Sequence, residues 1–70
     1  MKFKEFESVH IKETDIYGDI VEILSEDGDG VYLVQGDKDE ETDPAIIQKY
    51  DVWDNGVPFY TCLGSQLEHA

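Results

Sequence analysis

The alternation of apolar and polar positions divides this chain into short β-like runs separated by turns. In SVHIKET, Val9 and Ile11 alternate with His10 and Lys12, the period of a half-buried strand. The Thr14-Asp15 pair that follows favours a bend. Gly18 opens a second run, GDIVEIL, with Val21 and Ile23 on one face and Ile20, Glu22 and Leu24 on the other. Apolar residues on both faces predict a strand that curls, each end covering a different part of the core. An entry glycine suits such a bend because it tolerates backbone angles that other residues do not. A third run, VYLVQ, puts Val31 and Leu33 on one face and Tyr32 and Val34 on the other, and Gly36 ends it.

The turns between these runs carry their own signals. Glu26 to Gly30 reads EDGDG, two Asp-Gly pairs, so Asp15 to Gln35 is predicted to form a β-hairpin at the centre of the fold. Asp54-Asn55-Gly56 predicts a second tight hairpin between YDVW and VPFYTCL, since both turn positions need positive φ. Gly64-Ser65-Gln66 makes a brief turn before Leu67, and the ending Leu67 to Ala70 reads either as a closing strand or as an added tail. Asp37 to Pro44 has no apolar side chain and is a solvated loop. Two readings are open for Pro44 to Tyr50. Asp43 would cap a short helix with Pro44 at its first position, whereas the paired isoleucines and the following Asp51-Val52-Trp53 favour a strand; the strand is the expectation. Met1 to Glu7 is a lead-in with one or both of Phe3 and Phe6 lying on the sheet.

At 70 residues the chain is one domain, 1–70, with its core in 8–68. A chain this short buries about 60% of the surface its unfolded form exposes, which leaves little room for an enclosed catalytic cavity. Charge changes the picture most. Seventeen acidic residues against five basic ones give a net charge of -12. That field repels nucleic acid and anionic membranes and attracts basic proteins or cations. Disorder, the other meaning of strong acidity, does not fit 40% hydrophobic residues in alternating runs. No apolar run approaches the ~18 residues of a membrane span. A single cysteine, Cys62, with no disulfide framework and no signal peptide, fits a reducing, cytoplasmic setting.

A short strand, a curled strand after glycine, two tight hairpins and a closing strand add up to about five strands. The chain thereby resembles SH3-like barrels, in particular small bacterial KOW-like proteins of that shape. The resemblance rests on Gly18-Asp19-Ile20-Val21, Trp53-Asp54-Asn55-Gly56 and Leu67-Glu68, and covers Val9 to Glu68. It implies an all-β, five-stranded SH3-like barrel, here with one long acidic loop. Proteins of that kind include ribosomal and transcription-associated modules and immunity proteins that neutralise a toxin. KOW-type nucleic-acid binders carry basic loops, and this chain carries the reverse.

Catalytic and metal chemistry find little to work with. An EF-hand loop started at Asp37 has Asp39 and Glu41 at positions 3 and 5, but Thr42 at 6 and Gln48 at 12. A loop started at Asp27 has Val31 at position 5. One cysteine and two distant histidines make no zinc set. Cys62 lacks a base and reads as a small barrel-wall side chain. Ser8 and His10 share a strand face with Asp15 nearby but no defined pocket, so His10 is expected to face solvent. No catalytic residue, metal site or cofactor is assigned.

The aromatics have two readings: Trp53 and Phe59 pack while the tyrosines lean on the rim, or Tyr and Trp make a binding face beside the acidic loops. The expectation is a non-catalytic, cytoplasmic bacterial or phage module that binds a basic protein partner. Its contact residues are Asp37, Asp39, Glu40, Glu41 and Asp43, the turn acids Glu26, Asp27 and Asp29, and Trp53 and Tyr60. An inhibitor or immunity protein that imitates nucleic-acid charge is the most specific form of this expectation. The alternative is an assembly module, a homodimer or an accessory subunit pairing through a strand edge.

Overall fold

A computed structural model of the chain describes residues 3–36, 43–50, 52–54 and 58–70, with residues 53 and 54 described by their backbone alone. The elements run β1 (Ser8–Ile11), β2 (Tyr17–Ser25), β3 (Val31–Gly36), helix α1 (Pro44–Tyr50), β4 (Trp53–Asp54), β5 (Pro58–Leu63), a 3-10 turn (Gly64–Gln66) and β6 (Leu67–His69). The strands form one antiparallel sheet in the order β4-β5-β3-β2-β1-β6. Five of them are three residues or longer, and the two-residue β4 is the sixth. Among the described residues the end strands β4 and β6 do not pair with each other, so the sheet is open. No helix among the described residues is long and apolar enough to cross a membrane.

The curl of the second strand has a physical cause in the register. Ile20 faces Val34 and Glu22 faces Leu33, then Ile23 faces Tyr32 and Ser25 faces Val31, so β2 carries an extra residue at two places. Each bulge bends the strand and increases its twist. Gly18 lies opposite both Val9 and Gly36. A Cβ there would collide with the Gln35 carbonyl oxygen, which makes close backbone approach the reason for glycine at the entry. In the hairpin turn Gly28 and Gly30 take φ of 61° and 84°, and the Gly30 N–H donates to the Asp27 carbonyl at 3.0 Å. The second hairpin's strands also pair, Trp53 with Phe59 and Asp54 with Pro58, while its turn residues 55–57 lie outside the described residues.

Pro44–Tyr50 is a helix, not the expected strand. The Asp43 carboxylate accepts the Ala45 N–H at 2.8 Å, and its carbonyl accepts from Ile46 at 2.9 Å and Ile47 at 3.1 Å. A capping aspartate followed by proline outweighs the β preference of two isoleucines, because Pro44 at the first position loses no hydrogen bond. The helix turns Tyr50 into the core, with Ile46 packed partly against it.

The core also corrects the aromatic expectation. Tyr32, Tyr50 and Tyr60 are 1%, 2% and 0% exposed and are its largest fully buried side chains. Rings of this size each bury about 150–250 Å² and fill the space between a curled sheet and one short helix. Their hydroxyls can enter because, among the described residues, every buried side-chain nitrogen and oxygen has a partner. Tyr32 Oη accepts the Phe3 N–H at 3.1 Å, and the Phe3 ring stands edge-on to it at 5.6 Å. Thus one ring of the lead-in joins the core, while Phe6 is exposed.

Candidate functional site

The expected contact residues fall into three groups. Asp37, Asp39, Glu40 and Glu41 lie outside the described residues, as does the Trp53 side chain. Glu26, Asp27 and Asp29 are exposed on the turn before β3. That turn is fixed, not loose: the Asp27 N–H donates to Ser25 Oγ at 3.2 Å, and the Gly64 N–H reaches the Gly30 carbonyl at 3.0 Å. Asp43 is exposed but already caps α1. Tyr60 is a correction: at 0% exposure it packs opposite Val34 and offers no surface to a partner. Its alternation with Phe59 and Thr61 put it on the inner face of β5, and the sequence does not say which face is inner.

The Glu26 to Gly30 turn precedes β3, whereas residues 37–42 of the second acidic segment lie outside the described residues and Asp43 stands at the start of α1. The span from Val31 to Gln35 extends about 13 Å along β3, longer than a Debye length of roughly 8–10 Å. On the β2 side, Glu22 faces Leu33 and Asp19 faces Gln35 directly across the ladder. These two carboxylates therefore line the outer face between the ends.

That outer face is more apolar than polar on β3 and β5. Inner positions Tyr32 and Val34 are buried. Their neighbours Val31 and Leu33 point the other way and remain half-buried, as do Phe59 and Thr61. Val31 is directly opposite Leu63, which is 49% exposed. Leu24, in the bulged end of β2, is 46% exposed.

A cluster around His10 was not expected. Its Nδ1 lies 2.6 Å from Glu68 Oε2 and its Nε2 lies 2.6 Å from the Thr14 carbonyl oxygen. A carbonyl can only accept, so Nε2 donates to Thr14, and the Glu68 carboxylate beside Nδ1 favours a second proton on the ring. The Glu68 hydrogen bond, then the Thr14 bond, raise the His10 pKa above its ordinary 6.5. The Tyr17 ring stacks on it at 4.5 Å. His10 is therefore clamped, not simply solvent-facing. Ser8 Oγ donates to Asp19 Oδ1 at 2.8 Å, so Ser8, His10 and Asp15 do not assemble into a nucleophilic set. His69 Nδ1 lies 3.2 Å from Glu7 Oε2, a second histidine–carboxylate pair on β6.

Two shallow clefts lie among the described residues. One of about 490 Å³ lies between the turn after β1 and the start of α1, lined by Glu13, Asp15 and Asp43 over Ile16 and Ile46. The other, about 310 Å³, runs under β6 past Phe3, Asp29 and Glu68. Among the described residues no three His, Cys, Asp or Glu side chains group as metal ligands. Cys62 is 1% exposed, and burial pushes its thiol pKa up to about 12, the state of an inert core thiol. Compared with known proteins, the chain matches no family model, no curated protein and no solved structure.

Proposed function

We propose that this chain is a non-catalytic, cytoplasmic binding module that engages a basic protein, acting as an inhibitor or immunity-type protein whose carboxylates stand in for nucleic-acid phosphates. The observation that carries the reading is the net charge of -12 on 70 residues. So small a domain tolerates that self-repulsion at a cost to its stability, which favours a use for the field. The exposed Glu26, Asp27 and Asp29 on a well-fixed turn, with Asp19 and Glu22 along β2, support it by giving the charge a defined geometry. Tyr60 is no part of the contact surface in this reading. The SH3-like description of the curled sheet belongs to the same proposal, and the two bulges of β2 and the 3-10 turn before β6 favour it.

Association with such a partner is expected to be fast and weakened by salt, because steering charges are screened beyond about 8–10 Å at physiological ionic strength. The test is competition: the protein is titrated into a complex of DNA with a basic nuclease at low and high salt. Displacement of DNA at low salt that fades at high salt supports the proposal. Binding to a neutral partner, or binding indifferent to salt, removes its electrostatic basis.

The assembly-module alternative draws on the open sheet, whose edge strand β6 has just three residues. Sedimentation discriminates between the two, since self-association that strengthens with salt favours the alternative.

A further inference from the structure

The outer face of β3 and β5 combines an apolar stripe with a carboxylate border. Val31 and Leu63 are a direct cross-strand pair, Leu33 follows on β3, and Phe59 continues the row opposite Gln35. All four remain half-buried or exposed, while the inner-face residues that alternate with them are buried. From Val31 to Gln35 this apolar stripe runs about 13 Å, the length of about two and a half helical turns or of a five-residue extended segment.

Carboxylates frame the stripe on two sides. Glu22 sits directly across from Leu33 and Asp19 across from Gln35, one strand spacing away on β2. The acidic turn closes the Leu63 end, because the Gly64 N–H is bonded to the Gly30 carbonyl and a Cβ on Gly64 would collide with the Asp29 carbonyl oxygen. An apolar centre with a charged border is the arrangement of a docking surface.

Resting on the basic-partner reading above, we propose that this stripe is where the partner docks, and that the partner presents a segment of leucine-type residues bordered by lysines or arginines. A second copy of the chain is a poor occupant. Face-to-face pairing would bring two charges of -12 together and place Glu22 and Asp19 against their own kind. A purely cationic segment satisfies the border and leaves Val31, Leu33 and Leu63 against water. A segment with both features satisfies centre and border together, and apolar burial then sets residence time while charge sets encounter.

The experiment uses the whole protein and three synthetic peptides: one alternating leucine and lysine, one of lysine alone, and one alternating leucine and serine. Binding is followed by methyl and amide NMR shifts at low salt. The leucine–lysine peptide is expected to shift Val31, Leu33 and Leu63 and to bind tightest. Leu63→Ser, at a position 49% exposed and outside the buried core, is expected to keep the unfolding midpoint and to weaken this binding about tenfold, as loss of one buried leucine contact implies. Binding of the lysine peptide is expected to be unchanged by Leu63→Ser. If Leu63→Ser leaves the leucine–lysine peptide unaffected and shifts are confined to the acidic turn, the docking face is wrong and the basic-partner reading survives. If neither cationic peptide binds, the basic-partner reading itself fails. Equal binding of the leucine–serine peptide overturns the role of the border. Salt-strengthened dimerisation that Leu63→Ser abolishes assigns the stripe to a second copy instead.

Discussion

Across the middle of the sheet Tyr32 faces Cys62 and Val34 faces Tyr60, and none of the four is more than 1% exposed. Along the β1–β6 seam the inner side is also apolar, with Val9 and Ile11 at 0% and Leu67 at 3%. The outer side differs. There β6 is held by His10 to Glu68, while on the Val9 side its last residue His69 reaches Glu7, and the strand contributes Leu67 as its single buried residue. The centre is thus secured by removal of apolar area from water, which depends on no protonation state and is not screened by salt as charge pairs are. The seam depends in part on exposed charge pairs, individually weak and dependent on protonation. The expectation is therefore a stable middle and a C-terminal strand that opens separately from it.

The most damaging way to test the comparison is to remove packing from the middle. Ile20 is fully buried opposite Val34. Ile20→Ala is expected to cost about 2–5 kcal/mol through lost transfer energy and the cavity left behind. In a domain of this size that lowers the melting temperature by about 10 °C or more. Thermal unfolding by circular dichroism checks it; a shift of a degree or two means that the middle is not where stability resides.

Gly18→Ala is the next largest. It lies where β1, β2 and β3 meet, and its added methyl meets the Gln35 backbone, which cannot move without breaking the ladder. A cost of about 1–3 kcal/mol is expected, typical of an overpacked site. Urea titration measures it, and a neutral outcome would show that β2 can slide at its entry.

The sequence was informative where the physics is local. Val9 and Ile11 alternate because β1 has one wet face, and Gly28 and Gly30 mark a turn whose φ values are positive. Apolar residues on both faces of GDIVEIL predicted a curl, and the two bulges supply it. The helix at Pro44–Tyr50 was legible in Asp43-Pro44 but was outweighed by two β-branched residues, since seven residues are too few to show a period. Burial of Tyr32, Tyr50 and Tyr60 was not legible, because alternation tells which residues share a face and not which face is inner. The His10 clamp was beyond reach altogether. Its partner Glu68 is 58 residues away, and only the pairing of β1 with β6 brings them together.

That clamp gives the subtlest test, because it separates the seam from the middle instead of weakening both. Glu68, the Thr14 carbonyl and Asp15 all favour the charged ring, and Tyr17 stacks on it without competing for its protons. His10 should therefore titrate above 6.5 in an NMR pH series, and Glu68→Gln should bring its pKa down. The sign follows from linkage. A raised folded pKa gives stability that is complete below the ordinary value of 6.5 and is lost as pH climbs through the raised one. Amide exchange in β6, corrected for its intrinsic pH dependence, is accordingly expected to accelerate across that interval, and Glu68→Gln to remove the step. Cys62 supplies the internal control. Its thiol, 1% exposed and with its pKa pushed to about 12, can be alkylated only when the middle of the sheet opens. If β6 opens alone, Glu68→Gln changes β6 exchange and leaves the Cys62 labelling rate, compared at one pH, as it was. If both rates move together, the seam and the middle form one cooperative unit, and the division drawn between them does not hold.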